Sequence, residues 1–183
     1  MVFIKKNLLA IFCLVLFIIL TFKNMITHVP NGDETLNYLA SHYMNVSNFF
    51  DVIRNHGHPI LWYLVLFPFS KINIWYPYPM LILNYLFLFA ALTLMWFKGS
   101  FNNILKIIVT FSFMTVSYYA HTARCYTIGI LGLFILAYLY KEQTQKPILY
   151  AIMLGFTANT SAMASIGVTC LSLLFLYNLF KDR

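Results

Sequence analysis

The sequence predicts an all-α integral membrane protein: a single membrane domain over residues 1–183, with about six transmembrane helices and an extracytoplasmic first loop carrying short interfacial helices. Three observations carry that prediction. Hydrophobic residues make up 61% of the chain and charged residues 9%, which leaves a soluble globule too little polar surface to cover itself. Uncharged stretches run over 7–22, 72–97, 107–123, 125–140 and 147–180, on the scale of the roughly 20 helical residues that cross a bilayer core. Finally, the twelve Lys and Arg stand singly or in pairs at the ends of those runs. The net charge of +7 therefore reads as topology, and no nucleic acid is expected as a partner.

The spans are expected at about 7–25, 74–97, 104–122, 124–140, 147–159 and 162–180, with the first outer loop over about 26–73. Lys5 and Lys6 precede the first span, and TFKNMITHVP after it lacks a small-x-small cleavage site, so it reads as a retained signal anchor. The run over 147–180 is too long for one untilted span, and Asn159, Thr160 and Ser161 divide it into two. Six spans put Lys5, Lys6, Lys98, Lys106, Lys141, Lys146, Lys181 and Arg183 on one side, against Lys23, Arg54, Lys71 and Arg124 on the other. The positive-inside rule then makes both termini cytoplasmic.

Within the first loop, Asn31 or Asp33 can cap a helix running towards Met44, with Leu36, Leu39, Ala40 and Tyr43 on the face that lies on the membrane. A second short helix can start at Ser47, burying Phe49, Phe50 and Ile53 while Asp51 and Arg54 face water. The segment HPILWYLVLFPFSKI is too short for a span and contains Pro68, so it reads as interfacial or re-entrant. Cys13, Cys125 and Cys170 lie in apolar runs and form no disulfide or metal spacing; they read as packing residues. The sequons Asn45-Val46-Ser47 and Asn159-Thr160-Ser161 matter only in a glycosylating pathway.

Chemistry concentrates between Pro30 and Pro59, where Asp33, Glu34, Asp51, His42, His56 and His58 interrupt an otherwise apolar chain. Asp33 and Glu34 offer a catalytic pair: one carboxylate as general base on an acceptor hydroxyl or amine, the other positioning it or holding a divalent cation. The N-terminus of the expected helix favours the ionised form that a base must adopt. The same two residues also fit an N-cap and an ordinary first-turn acid. His56-Gly57-His58-Pro59 can contact phosphate or a metal, although no metal ligand set is assigned from it. Arg124 breaks SYYAHTARCYT and serves either as an interface anchor or as an anion site, with His121 beside it.

Taken in order, the motifs GDETLNYLA, HPILWYLVL and YYAHTARCYTIGI resemble the GT-C membrane glycosyltransferases, in particular the bacterial branch akin to protein O-mannosyltransferases and lipid A aminoarabinose transferases. The resemblance covers the N-terminal portion of such enzymes. It implies that Asp33 is the catalytic Asp with Glu34 its acidic neighbour, that His58 and Pro59 form the second motif, and that Arg124 with Tyr126 forms the third. It implies transfer of a sugar from a polyprenyl-phosphate carrier to a glycan, lipid or protein acceptor on the outer face of a bacterial inner membrane. Asp33 would deprotonate the acceptor while Arg124, and more weakly Lys71, stabilise the leaving phosphate, with His56 and His121 nearby.

Relatives in that family continue for several further spans, and many carry an acidic residue in the second outer loop where this chain has His121 and Arg124. Two expectations follow: an N-terminal module working with a partner membrane subunit, or a noncatalytic protein that binds a lipid carrier. A small transporter using Asp33 as an ion site is the third reading, disfavoured because the spans hold no Asp or Glu at mid-depth.

Overall fold

A computed structural model describes residues 2–45, 47–54, 59–72 and 75–181, with side chains omitted for 2–6 and 53. The described residues form helices and turns, with no strand among them. The helices are α1 (Val2–Thr27), α2 (Gly32–Tyr43), α3 (Phe49–Arg54), α4 (Leu61–Ser70), α5 (Tyr78–Lys98), α6 (Asn103–Phe111), α7 (Tyr126–Leu139), α8 (Pro147–Ala158) and α9 (Ala162–Lys181). Among the described residues, three stretches are long and apolar enough to cross a membrane: Asn7–Thr27, Tyr78–Lys98 and Ala162–Lys181. At 1.5 Å per residue each spans about 30 Å.

α5 is the central post. Over half of its span (56%) is buried in the protein, against 17% for α9 at the edge. Phe17 of α1 stacks on Tyr85 of α5, and the Thr21 hydroxyl meets the Tyr85 hydroxyl at 2.8 Å. Leu88, Leu92, Met95 and Trp96 continue the core beside Cys13 and Leu14 of α1 and Ile128 of α7. A second cluster joins Leu136 of α7 to Tyr150 and Leu154 of α8 and Val168 and Phe175 of α9. Close approach of α7 to α8 depends on Gly132, where an added Cβ would lie 2.5 Å from the Thr157 hydroxyl.

The stretch expected as one span over 104–122 is interrupted. α6 stops at Phe111, and a π-helical turn follows at Thr115–Tyr119. The local cause is competition by hydroxyls: the Ser112 and Thr115 side chains both donate to the Val109 carbonyl, at 3.2 and 2.7 Å. The π turn presents the Tyr119 carbonyl sideways, where Asn84 Nδ2 donates to it at 2.9 Å. Thr127 Oγ1 donates to Asn84 Oδ1 at 2.8 Å. One fully buried amide thus ties α5 both to the π turn and to α7.

On α2, Ala40 departs from the expected outward face and is buried. Glu34, Asn37, Tyr38, Ala40 and Ser41 are its buried residues, whereas Leu36, Leu39 and Tyr43 are exposed. A strip of polar groups faces inward because α4 supplies partners, such as Tyr63, whose hydroxyl donates to Asn37 Oδ1 at 3.0 Å. On α3, Phe49 is partly buried against the cluster of Ala40, Met44 and Tyr63. Phe50 is 79% exposed on the outside of this six-residue helix.

The polar segments gather at two ends of the assembly. One, the acidic end, holds the close of α1, α2, α4, the start of α5 and the segment 120–125. The turn after α8 joins it through a Leu61 N–H to Asn159 carbonyl bond of 3.3 Å. The other, the basic end, lies about 30 Å along α5 and comprises its C-terminus, the start of α6 and the turn at Tyr140–Glu142.

Candidate functional site at the acidic end

The site begins with a local motif. Asn31 caps α2: its Oδ1 accepts from Glu34 N–H at 3.0 Å, and Glu34 Oε2 accepts in return from Asn31 N–H at 2.9 Å. This capping box satisfies two N-terminal donors of the helix. It also turns the Glu34 side chain back into the protein, where its exposure is zero.

A buried carboxylate needs several donors to offset lost hydration. Glu34 finds them on three segments. Besides Asn31, it accepts from His28 Nε2 at 2.9 and 3.2 Å and from the backbone N–H of Ala123 at 2.5 Å. Contact with the carboxylate places the His28 proton on Nε2. Glu34 therefore clamps the close of α1, the start of α2 and the segment before α7 together.

Asp33, one residue earlier, has the opposite surroundings. Its side chain is 59% exposed, and its Oδ2 lies 3.1 Å from Arg124 Nη1, while the Arg124 side chain is only 15% exposed. The guanidinium carbon is 5.4 Å from the Tyr126 ring centroid, a cation–π distance. Holding Ala123 N–H on Glu34 puts Arg124 beside Asp33, because the two contacts use adjacent residues on both segments.

His121 lies on the inner side of this segment. Its ring centroid is 5.1 Å from that of His28, and its Nδ1 is buried with no hydrogen-bond partner among the described residues. Burial pushes the imidazole below its ordinary value of 6.5, with the neighbouring His28 acting in the same direction and Glu34 opposing. Tyr63 lies fully buried against α2. Burial pushes its phenol up to about 12, helped by Cys125 and Asp33 and opposed by Arg124, so it stays a hydroxyl donor.

The structure thus brings Asp33, Glu34, His121, Arg124 and Tyr126 together. Lys71 stands elsewhere: it donates to the His42 carbonyl at the far end of α2, roughly 14 Å along the helix from Asp33. His56 and His58 lie outside the described residues. Pro59 is described and stands two residues before the start of α4. Among the described residues no group of three or more His, Cys, Asp or Glu side chains could hold a metal ion.

Sequence reasoning missed the roles of His28, Asn37, Tyr63 and the Ala123 N–H. Only the Asn31 to Glu34 spacing carried a local signal.

Beside the ion pair, Tyr126 also lines an apolar groove of about 470 Å³ between the π turn, α7 and the start of α9. Tyr118 and Tyr119 form one wall, and Gly129, Ser161 and Ala164 leave room on the other. Comparison of the chain with known family profiles, curated proteins and solved structures found no match.

Proposed function

We propose that this chain is a GT-C-like glycosyltransferase, or the N-terminal module of one, that transfers a sugar from a polyprenyl-phosphate carrier to an acceptor on the outer face of a bacterial inner membrane. In this reading the chain crosses the membrane six times, both termini are cytoplasmic and the acidic end faces outward. The observation that carries it is the division of labour between adjacent carboxylates. Glu34 is spent on three segments, while exposed Asp33 sits 3.1 Å from a cation held by Tyr126 and the Glu34 clamp.

Asp33 takes the proton of an acceptor hydroxyl or amine as that atom attacks the anomeric carbon. The bond from that carbon to the phosphate oxygen breaks, and Arg124 receives the negative charge left on the carrier phosphate. Tyr126 connects this point to the groove, which suits the carrier's prenyl chain. Glu34 and His28 position the reacting groups and touch neither substrate. Acceptor choice and any partner subunit lie beyond Asp33 itself.

The test is transfer from radiolabelled polyprenyl-phosphate sugars by membranes containing this chain, with any neighbouring membrane subunit supplied, beside Asp33→Asn. The substitution is isosteric and leaves the Asn31 cap untouched. Loss of transfer with normal membrane insertion supports the reading. Equal transfer by both proteins, or none by either, overturns the role of Asp33 and favours the noncatalytic reading, in which the Asp33–Arg124 pair is a lock in a carrier-binding protein.

A further inference from the structure

At the basic end, a cleft of about 390 Å³ opens between the C-terminal ends of α5 and α7. Its floor is apolar, with Met95 and Phe134 among the lining residues, and its rim carries Lys98, Lys141, Tyr138 and Glu142. Charge on the rim is unbalanced. Glu142 is already paired with Lys146 at 2.6 Å, while neither Lys98 nor Lys141 has an ion pair among the described residues. The Lys98 ammonium rests 6.0 Å from the Tyr138 ring centroid, a contact that leaves its donors available. The depth is also informative: Lys98 closes a 21-residue apolar helix, which puts the rim at headgroup level and the floor among acyl chains.

From this geometry we propose that the cleft binds an anionic phospholipid, its phosphate between Lys98 and Lys141 and the first part of an acyl chain over Met95 and Phe134. Two cations on flexible stems suit a phosphate as point charges, and an apolar floor directly beneath them selects a lipid over a soluble anion. The site is independent of the transfer reaction, since about 30 Å of α5 separates it from Asp33.

Native mass spectrometry of the full chain, released from bilayers of phosphatidylcholine with a minor share of phosphatidylglycerol, tests it. The expected result is a retained phosphatidylglycerol adduct, about fivefold weaker for Lys98→Gln or Lys141→Gln, weaker still for the double variant and kept by the double arginine variant. Lys23→Gln, an exposed cation on α1 towards the other end, leaves the adduct unchanged. Equal retention by wild type and the double glutamine variant, with unchanged melting in detergent, overturns the proposal. So does displacement by millimolar glycerol phosphate, which would make the ligand a soluble phosphate, or an equal loss in Lys23→Gln, which would reduce the effect to surface charge.

Discussion

The two ends of the molecule handle charge in different ways. At the acidic end, Glu34 is wholly buried and draws donors from residues 28, 31 and 123. At the basic end, Lys106 is buried but satisfied nearby: its ammonium donates to the Trp96 carbonyl at 3.0 Å and lies 5.9 Å from the Trp96 ring centroid. The Trp96 indole N–H in turn donates to Thr110 Oγ1 at 2.9 Å. A short carboxylate accepts several fixed N–H groups at once and so locks distant segments in one geometry. A long ammonium stem reaches whatever carbonyl is close and fixes little. Precise geometry is therefore built at the acidic end, and adaptable positive charge at the basic end.

The largest test of that contrast is Glu34→Ala. It leaves His28, Asn31 N–H and Ala123 N–H facing an empty site, and a loss of about 3–5 kcal/mol is expected in unfolding measured in detergent. Asn84→Leu removes the amide that links α5, the π turn and α7, leaving the Tyr119 carbonyl and Thr127 hydroxyl without it. A loss of about 1–3 kcal/mol follows, measured the same way, and places this mid-molecule link between the two ends in cost.

Protonation of His121 is expected to weaken the acidic end. Since burial holds His121 below 6.5 in the folded protein, the unfolded chain binds its proton first as pH falls. The contribution of this residue to stability is therefore intact above about 6.5 and declines as pH drops through that value towards its folded one. Melting curves from pH 8 to pH 5 should show a decline that His121→Phe makes shallower; an identical slope in the variant would break the assignment.

Lys106→Met sharpens the contrast from the other side. The apolar stem is kept and only a flexible contact is lost, so less than about 1 kcal/mol is expected in the same unfolding measurement. Smallest in stability is Asp33→Asn, an exposed partner in an ion pair, at under about 1 kcal/mol. Under the proposed function its effect on sugar transfer is nearly complete, so adjacent carboxylates would separate stability from activity.

Much of the architecture was legible because it rests on local composition. Long apolar runs are helical wherever water cannot satisfy the backbone, and α1, α5, α7, α8 and α9 each lie over one of the apolar runs. The division at Asn159–Ser161 appears as a turn between α8 and α9. The break after Phe111 was not legible. It depends on hydroxyls that choose the Val109 carbonyl and on Asn84 arriving from another helix.

The apolar helices, the lysines at their ends and the Asn31–Glu34 spacing of a capping box are written locally, in residues within one or two turns of each other. The capping box aims Glu34 inward, but its burial rests on donors from segments far away in the chain. Ala123 N–H is 89 residues from Glu34, and only the packing of 120–125 against α2 makes it a donor there. The same packing sets Arg124 against Asp33, while α4 draws the polar strip of α2 inward. Periodicity records how apolar a face is, whereas burial of a charge depends on donors that other segments bring to it.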